Sequence, residues 1–101
     1  MLVNEESLSH SEETAMFFQA ADNCMVIGSQ TAGADGNVSN FEAVKAVFTR
    51  FIGGGVYYRD RRETQRIGII PDIEIKPSIL GIQQGKDEVF DCALQLIETG
   101  N

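Results

Sequence analysis

The sequence is poor in the residues that build metal centres, disulfide scaffolds and nucleic-acid surfaces. Its 101 positions hold one histidine, two cysteines, two prolines and eight basic residues against fifteen acidic ones. His10 cannot form a zinc site alone, and Cys24 and Cys92 have no further Cys or His ligand at short spacing. Two cysteines make no disulfide framework either; both have apolar neighbours and read as small buried thiols. Neither metal nor cofactor is expected. A formal charge of −7 argues against a nucleic-acid partner, because phosphate neutralisation needs grouped Lys and Arg. No apolar run approaches the ~18–20 residues of a membrane span. The first twenty residues are acidic and polar, unlike a signal peptide. Internal repeats and low-complexity linkers are also lacking. At 43% hydrophobic the chain is too apolar for disorder, and residues 1–101 read as one domain.

What is there alternates strand-like and helix-like segments. Leu2-Val3 reads like the end of a strand whose beginning lies upstream. From His10 to about Asp22 the spacing predicts a helix, with Ser9 and Glu12 in capping-box register and Glu12 and Glu13 in the first turn. Ala15, Met16, Phe18, Ala20 and Ala21 would supply its buried face. Cys24 to Ile27, closed by Gly28, looks like a buried strand. Gly28 to Gly36 is a glycine-rich loop. Val44 to Phe51 reads as extended, Gly53 to Gly55 as a turn, and Val56 to Tyr58 as a strand start. Arg59 to Glu63 is a charged turn, Gln65 to Ile70 a returning strand, and Ile73 and Ile75 mark a half-exposed strand. A last helix, about Lys86 to Glu98, is capped near Asp87 and packs Val89, Cys92, Ala93, Leu96 and Ile97. The class is α/β, with a mixed sheet and two main helices.

Ser9 is the most informative position. A serine between a strand end and a helix start projects its hydroxyl from the sheet edge, and the backbone N–H of His10 can face a developing oxyanion. The plain alternative is that Ser9 is only an N-cap. No G-x-S-x-G motif surrounds it. The loop Gly28–Gly36 lacks a Walker lysine and carries Asp35, so a phosphate cradle is disfavoured.

Four blocks change that weighting: N-E-E-S-L-S-H-S-E, V-I-G-S-Q-T-A-G-A-D-G-N-V-S, T-Q-R-I-G-I-I-P-D-I-E-I-K-P-S and G-I-Q-Q-G-K-D-E-V-F-D-C-A-L. In their order and separation they resemble the C-terminal half of the C-terminal processing, or tail-specific, serine peptidases. That resemblance implies a partial ClpP/crotonase-like fold of ββα units and a polypeptide substrate. It places the nucleophile on Ser9 and an oxyanion donor on the His10 backbone N–H. Gly33, Ala34, Asp35 and Gly36 would wall the cleft. Many members carry a lysine base in a T-x-G-K-G context, where this sequence has Ala34. Either the base lies elsewhere or the protein is inactive. The family's tricorn-like branch, with a histidine from an upstream segment, fits the missing lysine.

His10 itself is a poor base for Ser9, because adjacent side chains on an opening helix diverge by about 100°. Lys45 as a displaced base is disfavoured, since a strand lysine normally faces solvent. Asp35 or Glu74 would orient a base only if set apart from ordinary surface carboxylates. The resemblance further implies that base, second oxyanion donor and any PDZ module lie upstream, so the 101 residues are expected to be inert alone. Uncovered sheet edges would favour a homo-oligomer. Family members usually act in a periplasm or at a membrane. Two other readings stay open, a non-catalytic peptide-binding domain and a crotonase-like non-peptidase enzyme.

Overall fold

In the computed structural model, which describes residues 1–100, a small parallel sheet carries the helices and one long hairpin projects from it. The elements are β1 (Leu2–Val3), α1 (His10–Gln19), β2 (Ile27–Gly28), β3 (Asn37–Val44), β4 (Val47–Gly54), β5 (Ile73–Glu74), α2 (Ile79–Gln83) and α3 (Glu88–Thr99). The sheet runs β1-β2-β5, with Leu2 opposite Ile27 and Ile27 opposite Ile73, all parallel. Parallel neighbours need a crossover, and α1 supplies the one between β1 and β2. Gly28 permits the close approach of β1: a Cβ there would stand 1.8 Å from the Val3 carbonyl oxygen. The α/β class holds, with parallel pairing in the sheet and antiparallel pairing in the hairpin.

The core is small. Val3, Ala15, Met16, Val26 and Ile69 are buried together, flanked by Met1, Val56 and Tyr58. Helix α1 presents Glu12, Ala15 and Met16 inward, the i, i+3, i+4 face of a helix. It stops at Gln19 rather than near Asp22, and Phe17 and Phe18 lie exposed. In α3 the expected face of Val89, Cys92, Ala93 and Leu96 is half-buried, whereas Ile97 joins Phe90 and Leu94 on an exposed apolar stripe.

Several expectations for the middle of the chain are corrected. Asn37 to Gly54 forms one hairpin, so Gly53 and Gly54 close β4 instead of making a turn. Lys45 sits in the hairpin turn, not on a strand; Ala46 takes φ 68° there, and the Glu42 carboxylate accepts its N–H at 3.0 Å. The strand expected over Gln65–Ile70 is absent because Arg66 and Gly68 both take positive φ, bending 64–68 into a turn. Val56–Tyr58 contributes a single bridge, Tyr57 to Glu63. Helix α2 has no counterpart among the expected elements; Ser78 caps it by accepting the Gly81 N–H at 2.9 Å.

Candidate functional site

The corner between β1 and α1 is built by local polar contacts. The Ser7 N–H donates to the Asn4 carbonyl at 3.0 Å and the Glu6 N–H to the Asn4 carboxamide at 3.1 Å, turning the chain after β1. Ser9 follows with φ 55° and ψ −122°. This backbone region is almost reserved for glycine, and a serine there is strained by about 1–3 kcal/mol. Ser9 is half-buried and stands in capping-box register with Glu12, whose carboxylate accepts the Ser9 N–H. The strained serine stands at the start of α1, one turn of chain after the end of β1.

The glycine-rich loop holds the strain in place. The Ser9 N–H is shared between the Ala34 carbonyl at 3.1 Å and a Glu12 carboxylate oxygen at 3.0 Å. Glu12 is entirely buried. Its other oxygen accepts from the Thr31 hydroxyl at 2.5 Å and the Gly33 N–H at 2.8 Å, while the Ala34 N–H donates at 3.0 Å to the oxygen that the Ser9 N–H reaches. One carboxylate therefore fastens the helix start to residues 31–34. Sequence spacing marks Glu12 as a capping residue, but its larger role as the hub of the loop has no local signature.

The first-turn N–H groups divide unevenly. Ser11 N–H donates to Leu8 O at 3.3 Å and Glu12 N–H to Ser9 O at 2.9 Å. The His10 N–H has no protein acceptor among the described residues. It is the orphan donor next to the Ser9 hydroxyl, at the positive end of α1, where a developing oxyanion gains most.

The remaining candidates fall on both sides of this corner. Ala34 is exposed, and its carbonyl accepts the Ser9 N–H. Gly33 and Asp35 are buried; the Asp35 carboxylate accepts from Gly36 N–H at 2.7 Å and the Thr64 hydroxyl at 3.1 Å. Gly36 is half-buried at the base of the hairpin. The His10 ring is 90% exposed and faces Glu13 at 3.5 Å. Glu74 pairs with Lys76 at 3.5 Å, and Lys45 lies at the hairpin tip, roughly 25 Å along the strand from its base. A cleft of about 520 Å³ runs from Leu2, Val3 and Ser7 to Ile82, Lys86 and Val89. Ser9 is not among its walls. Among the described residues no acidic, Cys or His group is arranged to hold a metal ion, and no helix is long and apolar enough to cross a membrane.

The sequence model of peptidase family S41 matches residues 1–75, and the chain belongs to this family of C-terminal processing serine peptidases. The fold is similar to that of a candidate peptidase from Parabacteroides merdae ATCC 43184, with TM-score 0.82, 23% identity, and 94% of this chain covering 30% of that one. It is also similar to mature CPAF (TM-score 0.79, 23% identity, 97% of this chain and 20% of that one). The tricorn protease aligns with TM-score 0.81 at 19% identity, over 95% of this chain and 10% of its own. The chain thus spans less than a third of the length of these structures. No curated protein matches it.

Proposed function

We propose that residues 1–101 form the nucleophile-bearing part of a serine peptidase catalytic domain, with Ser9 as the attacking residue. The observation that carries this reading is the strained Ser9 backbone at a strand-to-helix corner, beside the unpartnered His10 N–H. In the reaction, a base takes the Ser9 hydroxyl proton as Oγ attacks the scissile carbonyl carbon. The carbonyl oxygen becomes the oxyanion and is met by the His10 N–H. Collapse breaks the C–N bond, the base returns the proton to the leaving amine, and water then releases the acyl group from Ser9.

A base is the part this chain does not bring to Ser9. The loop position beside it is Ala34, and the His10 ring turns to Glu13. Polypeptide beyond these residues supplies the base and the second oxyanion donor in this reading, as in the tricorn-like branch of the family. Gly33 to Gly36 then form the wall that carries an extended polypeptide substrate past Ser9, with Ala34 nearest. The 101-residue chain by itself is expected to be inert toward peptides and esters, and Ser9-dependent hydrolysis by it would contradict the external base. With the base-bearing segment present, Ser9→Ala should abolish peptide cleavage. Turnover that survives Ser9→Ala would favour crotonase-like chemistry, in which backbone donors act without a nucleophilic serine.

A further inference from the structure

We propose that Arg66 binds a carboxylate of the polypeptide substrate beside Ser9; this rests on the peptidase reading and adds a specificity determinant to it. Residues 59–66 hold four of the eight basic residues, Arg59, Arg61, Arg62 and Arg66, in a chain of net charge −7. Arg62 is already engaged, donating to Asp60 at 2.7 Å and stacking over the Tyr58 ring at 4.8 Å. Arg66 is exposed and has no carboxylate within 4.0 Å among the described residues. The two buried acids at the loop, Glu12 of α1 and Asp35, are occupied, Glu12 by four donors and Asp35 by Gly36 and Thr64. An unpaired guanidinium fork offers two parallel N–H donors matched to a carboxylate.

Its placement relates it to the nucleophile. Arg66 N–H donates to Gly33 O at 2.7 Å, and the next carbonyl, Ala34 O, accepts from Ser9 N–H at 3.1 Å. Two backbone hydrogen bonds across one strip of loop put Arg66 and Ser9 on the order of 10 Å apart, Cα to Cα. That is the span of two to three residues of an extended peptide. Arg66 also takes φ 69°, a conformation that glycine adopts without strain, and a Cβ at Gly33 would stand 2.8 Å from the Arg66 carbonyl carbon. The contact with Gly33 fixes this arginine at the loop. Asp60 and Glu63 interrupt the basic run, which suits a single carboxylate better than a polyphosphate track.

The carboxylate belongs either to an acidic side chain or to a chain terminus, and matched peptides separate the two. The ¹⁵N-labelled chain is titrated with short extended peptides that differ only as Glu against Gln, or as free C-terminus against amide. At least one acidic member should bind about tenfold tighter than its neutral partner. The shifts should fall at the Arg66, Gly33 and Ala34 amides. Arg66→Gly, which suits the backbone, and Arg66→Gln should both remove the difference, while Arg66→Lys keeps part of it. Equal affinities, a difference that survives Arg66→Gly, or no shift at these amides would overturn the proposal. A carboxylate preference that persists where Ser9 proves unreactive would strike the nucleophile assignment alone.

Discussion

Ser9 and Glu12 divide the work of the corner between strain and restraint. If the φ 55°, ψ −122° backbone of Ser9 is stored strain, glycine should release it. Ser9→Gly is expected to raise stability by about 1–2 kcal/mol in urea denaturation, and Ser9→Ala to give no such gain. Equal effects of the two would remove strain from the account. Glu12 has the opposite sign. Removing its buried carboxylate leaves the Thr31 hydroxyl and the Gly33 and Ala34 N–H groups without an acceptor and the Ser9 N–H with the Ala34 carbonyl alone, so Glu12→Ala should cost about 3–5 kcal/mol. At this scale the sequence shows residue types and spacing: Ser9 before Glu12 reads as a helix start. The positive φ stays hidden because a contact 25 residues away, Ala34 O to Ser9 N–H, helps to hold it.

Among the elements, those defined by periodicity and punctuation were legible, and those defined by distant partners were not. β1, α1, the β2 strand ending at Gly28, β5 and α3 all follow from apolar spacing, caps and glycine. The extent of the β3–β4 hairpin was not, since its residues 37–43 carry polar and apolar side chains that are nearly all exposed and show no one-sided pattern. Gln65–Ile70 looked like a strand by composition, but positive φ at Arg66 and Gly68 breaks it. Two expected outcomes belong here. Gly28→Ala drives a methyl into the Val3 carbonyl and should cost on the order of 3 kcal/mol, read as loss of the β1–β2 pairing by amide exchange.

The second concerns the junction of α2 and α3. Glu88 accepts from the Ser78 N–H and, at 2.9 Å, from the Ser78 hydroxyl. These bonds, the backbone one first, hold its carboxyl below the ordinary value of 4.5. A carboxylate depressed in the folded state lends its support fully above about pH 4.5 and loses it as pH falls through the lower folded value. The Ser78 and Gly81 amides should therefore shift together on acidification below pH 4.5, and Glu88→Gln should flatten that transition.

As a whole molecule the chain is expanded and flat. Its radius of gyration is 17.0 Å and its extents are 57 × 35 × 16 Å, against about 13 Å for a compact domain of this length. Phe41, Phe48, Phe51 and Ile52 of the hairpin, Ile79 and Ile82 of α2, and Phe90 and Ile97 of α3 are all exposed. Apolar surface on that scale calls for a cover. Light scattering at micromolar concentration is expected to find a dimer or larger assembly, weakened by Phe48→Glu; a monomer would contradict this.

Fluorophosphonate labelling tests the proposed chemistry of Ser9 most directly. With the proposed base-bearing segment present, the reagent should phosphonylate Ser9, mapped by mass spectrometry, and Ser9→Ala should abolish the adduct. Peptide hydrolysis without an adduct at Ser9, or with the adduct on another serine, would contradict the account.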